Sequence, residues 1–413
     1  MLILRNVVIL ALIIIGLCIV PVYAAPFSQE PLIRVGILSN QSQIVISANQ
    51  EFSLVEDTTG KVLGRYLPCD KVTITINGGK LALNSKVITA TEVRVAVPKV
   101  GGPDIQVNAN VYRGEIRLHR TVGKQGVTAV NILPLEKYLC GIVPKEISPQ
   151  WPAETLKAQA VAARTYAIYS LNKHNADGYD VCADTDCQVY GGLSAEDDRT
   201  TAAVNATVGL VMVYQDKVIP AVFHCSSGGY TENSENVWGG YSQFLRGVKD
   251  FDEKSPYYKW EKRLTGLEVA KILGQAGYEI GEFKAVELSP LTTPGKFAAD
   301  RGVSGRVKQV CFVGTNGNVV LSGTEVRRIL GLRSSLFDIK VQPVVTTEKN
   351  VSSLNKGVRI VDVIINGYGW GHGLGLSQWG AKAMAEQAMP GNKEYFKTIL
   401  KHYYSGVSLE KEY

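Results

Sequence analysis

Apolar and polar positions change period several times along the chain. Arg5 precedes an apolar run from Val7 to Val20. This run is too short for a membrane span, which needs about 20 residues. Val22-Tyr23-Ala24 then puts small residues at the −3 and −1 positions of a cleavage site, so residues 1–24 are expected to be a secretory signal peptide cut after Ala24. From residue 32 to about 110 the pattern is that of strands. L-I-R-V-G-I-L and Q-I-V-I-S-A alternate or run apolar, and T-E-V-R-V-A-V from Thr91 to Val97 alternates strictly. K-V-T-I-T-I-N-G-G-K-L-A-L predicts a hairpin that turns at Asn77-Gly78-Gly79. V-G-G-P at 100–103 reads as a connection. It divides a β-rich N-terminal accessory region, 25–103, from a larger unit, 104–413. Tyr112–Leu118 and Val127–Leu133 predict two strands of that unit, within a β region that extends to residue 140.

The period lengthens after Glu146, a carboxylate set between Pro144 and Pro149. Ala153 to Ala167 is rich in strong helix formers and contains no Gly or Pro. Pro152 suits the first turn, and Glu154 suits the positive end of the helix dipole. Alanines at 153, 158, 160, 162, 163 and 167 leave few sides bulky, so neighbours can pack close all round and the helix is expected to be buried. Gln159, Arg164, Thr165 and Tyr166 are polar groups on that buried rod, and each needs a partner. A core helix and the wall of an active site both answer this description. Further helices are predicted at 200–209, 264–276, 325–330, 377–387 and 397–404, with Ser377 as an N-cap. The segment from about 264 to 345 reads as a β-rich insertion, and 344–357 as a polar surface loop. The fold class is therefore α+β, mostly β, with a buried central helix beside Glu146.

The 413 residues carry a formal net charge of +6. Losing the leader leaves 43 basic and 38 acidic residues. That mild excess suits an acidic polymer such as a cell-wall glycan. No basic block stands out, which argues against nucleic acid as a partner, and no membrane span is expected after cleavage. Six cysteines remain in the mature chain and allow fifteen pairings. His174, Cys182 and Cys187 form a possible soft-metal set. A Cys182–Cys187 disulfide competes with it, because an oxidising compartment favours the bond. Ser226-Ser227-Gly228-Gly229 predicts a tight turn whose exposed N–H groups can hold a sugar oxygen or a carboxylate. Seven aromatics between Trp238 and Trp260 form either a sugar platform or a cap on the core. Glycines at 367, 369, 371, 373 and 375 strip one face of the chain, so backbone can approach closely, and Trp370 and His372 project from that stretch.

Several ordered segments carry a resemblance: V-P-K-E-I-S-P-Q-W-P-A-E-T-L-K-A-Q-A-V-A-A-R-T-Y at 143–166, C-Q-V-Y-G-G at 187–192, F-H-C-S-S-G-G-Y-T-E at 223–232 and G-Y-G-W-G-H-G-L-G-L-S-Q-W-G-A at 367–381. With N-I-L-P-L-E-K-Y-L at 131–139, the chain resembles the SpoIID/LytB family over roughly residues 110 to 406. The resemblance implies a bacterial protein, secreted or periplasmic and associated with the cell wall, that acts on peptidoglycan glycan strands with Glu146 as catalytic acid. Gln159, Arg164, Tyr166, Ser226, Ser227, Trp370, His372 and Gln378 become candidate substrate contacts, with His372 expected beside Glu146. Some relatives carry zinc near His174, and many have a His directly before the second Cys. Here that position is Asp186.

Only Glu146 is a carboxylate in a matched motif, whereas ordinary glycosidases use two. One suffices if the 6-hydroxyl of N-acetylmuramic acid attacks its own anomeric carbon. The expected activity is thus that of a lytic transglycosylase, which cleaves the MurNAc–GlcNAc bond and leaves 1,6-anhydro ends. No cofactor is required, and any zinc is structural. The alternative is a non-catalytic, wall-binding enhancer of an N-acetylmuramoyl-L-alanine amidase. A zinc hydrolase lacks a matched general base.

Overall fold

A computed structural model of the chain describes residues 27–98, 104–292, 298–343 and 361–413. The expected signal peptide, the 100–103 connection and the whole of the polar loop lie outside these residues. Strands outnumber helices, as the α+β expectation requires. The hairpin forms as predicted: Val72–Asn77 pairs antiparallel with Lys80–Leu83, and Gly78 and Gly79 both take positive φ, which a two-residue turn demands.

Two sheets dominate the first half. The seven-stranded one has the order Val181–Cys182, Leu32–Gln41, Val127–Pro134, Glu115–His119, Glu92–Ala96, Phe52–Glu56 and Val62–Tyr66. Leu32–Gln41 and Val127–Pro134 pair antiparallel, so the sheet crosses the expected boundary at 103. One core follows the same course. It runs from Ile33 through Leu118 and Leu139 to Val213, so the N-terminal strands share their buried face with the segment that carries Glu146.

The helices are α1 (Leu135–Glu146), α2 (Ala153–Tyr169), α3 (Asp198–Ala206), α4 (Ser234–Trp238), α5 (Gly266–Gln275), α6 (Gly323–Ile329), α7 (Gln378–Glu386) and α8 (Tyr395–Tyr403). α1 replaces the strand expected up to residue 140. Its residues Leu135, Tyr138, Leu139, Ile142 and Val143 recur at helical spacing and bury one face. The carboxylate of Glu30 receives the N–H of Glu136 in the first turn at 2.7 Å. α2 is buried on nearly every side. Leu156, Ala160, Ala163 and Ala167 face the first core, while Ala158, Val161 and Ala162 face a second built with α7 and α8. Small side chains on both flanks let one helix serve two cores. Glu154 links α2 to α8 by accepting the N–H of Phe396 at 3.0 Å.

A third core gathers α5, α6 and the strands between Trp260 and Ile365. α5 and α6 both open with capping boxes, Thr265 with Glu268 and Ser322 with Glu325. No helix among the described residues is long and apolar enough to cross a membrane.

Candidate active site

Glu146 is the last residue of α1, where unpaired carbonyls concentrate negative charge. The C-Q-V-Y-G-G segment lies against this helix. A Cβ on Gly141 would stand 2.6 Å from the Tyr190 ring, so only glycine lets the two approach. Gly191 donates its N–H to the Gly141 carbonyl at 3.1 Å, and Val189 donates to Glu146 Oε1 at 3.2 Å. Gln188 fastens the segment to α2 and α1, donating to the Ala163 carbonyl and accepting from the Tyr138 hydroxyl, both at 3.2 Å. Gln378, the first residue of α7, is the second hydrogen-bond partner of the Glu146 carboxylate. Trp379 beside it meets Trp151 edge-on at 5.0 Å. Three motifs far apart in sequence thus converge on one carboxyl. Burial raises its pKa, opposed by the Val189 N–H and by Gln378, and among the described residues no neighbouring charge contributes.

Gln159 is 1% exposed, and neither its amide oxygen nor its nitrogen has a partner among the described residues. Thr155, one turn earlier on the same face of α2, has an unpartnered hydroxyl. Buried polar groups in that state are rare and call for a ligand or a functional reason. Tyr166 continues this face, its hydroxyl 3.5 Å from the Asp186 carbonyl.

Arg164 is different. It lies on the opposite side of α2, fully buried, and grips Glu136 with two bonds of 2.8 and 2.7 Å. It also donates to the Val204 and Leu210 carbonyls. These contacts tie α1, α2 and α3 to the C-terminus, where the Tyr413 hydroxyl reaches Glu136. The expected substrate contact is therefore corrected to a structural ion pair. Glu136 was legible only as a member of the L-P-L-E-K-Y-L motif.

Ser226 and Ser227 are also corrected. The turn does hold a carboxylate, but it is the chain's own Asp252. Gly228 and Gly229 donate to it at 2.9 and 2.8 Å, and Ser226 donates to the same group. Ser227 reaches the adjacent Asp250 at 2.5 Å. Both serines are fully buried. Asp250 is pushed up to about 6 by burial and by the charge of Asp252.

The glycine-stripped stretch approaches the chain's own backbone. A Cβ on Gly369 would meet the Ser226 carbonyl oxygen at 2.5 Å, and one on Gly371 would meet the His224 Cβ at 2.6 Å. Among the described residues, His372 makes its hydrogen bonds to groups other than Glu146. Its Nδ1 accepts from the Leu374 N–H and its Nε2–H donates to the Phe223 carbonyl, each at 3.0 Å. With both nitrogens engaged and burial driving its pKa down to about 3, the ring is neutral and has no free site for a proton relay. Trp370 is 40% exposed and meets Tyr257 edge-on at 4.8 Å. The aromatic-rich segment divides: Trp238 and Tyr241 are exposed, Phe244 and Phe251 pack on the second core, and Trp260 packs on the third.

Cys182 and Cys187 are free thiols, so the expected disulfide is not made. They converge with His174 and Asp186, all donor atoms lying within 4.8 Å of one another. Asp186 Oδ2 is 3.2 Å from His174 Nε2, which is 3.4 Å from Cys187 Sγ. The carboxylate stands where sequence pattern suggested only a missing histidine. A hydrogen bond from Cys182 pulls the Cys187 thiol down to about 6, while the same bond and burial push Cys182 up. Two soft thiolates, an imidazole and a carboxylate form a donor set suited to tetrahedral zinc.

A family model described as Stage II sporulation protein matches residues 123–214, and one described as a domain of unknown function matches 231–375. The chain is 34% identical over 283 residues to an uncharacterized protein of Brachyspira hyodysenteriae, covering 68% of this chain and 67% of the other. It is 32% identical to Stage II sporulation protein D of Bacillus amyloliquefaciens, over 68% of this chain and 76% of that one. With the amidase enhancer of Bacillus subtilis it shares 29% identity over 88% of this chain, but over only 52% of the enhancer. The chain belongs to the SpoIID/LytB family.

Proposed function

We propose that this chain is an exported peptidoglycan lytic transglycosylase with Glu146 as its one catalytic carboxyl. Family membership supports a cell-wall-related function. The observation that carries the finer reading is the isolation of Glu146. Its carboxyl is desolvated and raised, and among the described residues no charged group contributes to that shift. Paired-carboxyl hydrolysis needs a partner about 5–10 Å away. A lone raised carboxyl suits a substrate that brings its own nucleophile. Protonated Glu146 gives its proton to the glycosidic oxygen as the C1–O bond breaks. The muramyl O6 then bonds to C1, and its proton returns to the Glu146 carboxylate. Val189 and Gln378 hold the carboxylate form between these steps, and Gln159 and Tyr166 serve as substrate contacts on the α2 face.

His174, Cys182, Asp186 and Cys187 would hold a zinc ion with a structural role, bracing the segment that donates Val189 to Glu146. No step of the reaction passes through the metal.

The 88% coverage against the amidase enhancer favours a second reading, in which the chain binds wall glycan and stimulates an amidase. Mass spectrometry of products from purified glycan strands and intact sacculi separates the two. Wild type should release 1,6-anhydro-muramyl ends and Glu146→Gln should not, with a rate loss on the order of 10² to 10⁴. Reducing ends in their place would mean hydrolysis. Intact binding and amidase stimulation with no cleavage by wild type would establish the enhancer.

A further inference from the structure

The segment matched as a domain of unknown function, 231–375, carries a strip of exposed aromatics and unpaired cations next to the glycine stretch. Trp238, 52% exposed, lies 5.1 Å from the His372 ring, and Trp370, 40% exposed, follows two residues before His372. The Arg333 guanidinium sits over the Trp370 ring at 5.1 Å, and the Arg333 carbonyl accepts the Gly371 N–H at 3.0 Å, which fixes this loop to the strip. Arg333 is exposed and has no carboxylate partner among the described residues. Arg327, on α6, is more deeply placed, and its guanidinium likewise makes no ion pair or hydrogen bond among the described residues.

Thr324, one turn before Arg327 on α6, donates its hydroxyl to the Val237 carbonyl beside Trp238 at 3.3 Å, which brings this helix against the strip. Alongside burial, the charge of Arg327 lowers the proton affinity of His372, His224 and Arg306. His224 is 4% exposed, and its ring lies 5.3 Å from His372. Its Nδ1–H donates to the Leu374 carbonyl at 3.1 Å, which leaves Nε2 as a bare acceptor, and that atom is buried without a partner. A buried acceptor without a partner is costly unless something bound satisfies it.

We propose that this strip is a glycan-binding site that selects carboxylate-bearing amino sugars. Trp238 and Trp370 offer flat apolar faces to pyranose rings. Arg327 and Arg333 pair with sugar or peptide carboxylates, as guanidinium does bidentately. The His224 Nε2 lone pair accepts a hydroxyl or amide N–H. The inference rests on the peptidoglycan reading and names the part of that substrate the second segment recognises: the carboxylate of the muramyl lactyl group. An uncharged N-acetylglucosamine polymer would satisfy the tryptophans but not the arginines.

The test measures binding by the full-length Glu146→Gln chain, which does not consume its ligand. The probes are GlcNAc–MurNAc oligosaccharides with free lactyl carboxylates, and the same oligosaccharides after chemical reduction of those carboxylates to alcohols. The acid form should bind about tenfold or more tightly, the range a charge-assisted hydrogen bond supplies. Arg327→Gln and Arg333→Gln should erase that preference, and Trp238→Ala or Trp370→Ala should weaken both forms. Arg333 and Trp370 are exposed, so their variants test the site even if Arg327→Gln impairs folding. Equal binding of the two forms, or a preference that survives both arginine substitutions, overturns the proposal. Tighter binding of a glycerol-phosphate polymer than of the carboxylated glycan also overturns it. Binding is read without turnover, so a wild type that releases no anhydro ends refutes the transglycosylase while leaving this result to stand alone.

Discussion

Replacing Arg164 by Met tests whether a buried arginine in a family-matched helix serves the substrate or the fold. Its side chain is 0% exposed and that of Glu136 is 10% exposed. Breaking a buried pair by removing one partner costs about 3–5 kcal/mol, because the remaining charge is uncompensated. The carbonyls of Val204 and Leu210 lose a donor as well. The double variant Glu136→Met/Arg164→Met removes both charges. Apolar replacement of a whole pair is often neutral or stabilising. Here Gly209 N–H and the Tyr413 hydroxyl would lose their acceptor, so recovery should be partial. The assay is the urea midpoint followed by circular dichroism, alongside glycan binding by the folded fraction. The single variant should lose most stability and the double variant should lie between it and wild type, with binding per folded molecule unchanged. Acidity supplies a further check. Burial pushes the Glu136 carboxyl up, but the bonds and charge of Arg164, the Tyr413 hydroxyl and the Gly209 N–H outweigh it and hold the carboxyl below its ordinary value. A depressed carboxyl stabilises above its unfolded pKa, and the contribution is lost as pH falls through the folded value. The gap between wild type and Arg164→Met should therefore narrow below about pH 4, near the unfolded glutamate value. A stable Arg164→Met chain that has lost only glycan binding would refute the structural assignment.

Gln378→Leu removes a hydrogen bond that favours ionised Glu146, so the alkaline limb of the pH–rate profile should move upward; an unchanged or lowered limb contradicts the contact's role. Glu146→Gln should raise stability at pH 7 to 8, because a carboxyl with a raised folded pKa destabilises above its unfolded value; the advantage should vanish below about pH 4, and calorimetry across that range checks it. Ser227→Ala should cost about 1–3 kcal/mol through the buried Asp250 and Asp252 carboxylates while KM for glycan stays unchanged, whereas a raised KM at full stability would restore it as a substrate contact. Purified chain should contain about one zinc by elemental analysis, and chelation should lower the unfolding midpoint without changing the rate per folded molecule; a Cys182–Cys187 disulfide in peptide maps would reject the metal.

Much of this architecture follows from local pattern. The Asn77-Gly78-Gly79 hairpin, the alternation of Thr91–Val97 and the alanine-rich Ala153–Ala167 helix depend on turn chemistry and period, which act within a few residues. Glu146 stood out for the same reason, as a carboxylate set between prolines ahead of a helix with few bulky sides. Partners of buried polar groups are another matter, since they lie dozens to hundreds of residues away. Nothing near Arg164 distinguishes a substrate contact from an ion pair with Glu136, 28 positions earlier. Nothing in S-S-G-G says that the anion it holds is Asp252, and nothing around Asp186 says that its carboxylate completes a set with His174, Cys182 and Cys187. Sequence alone supplied the chemical types and the periods of the elements. Tertiary packing decided which groups meet and which remain desolvated without a partner, because both depend on what the rest of the chain brings to that place.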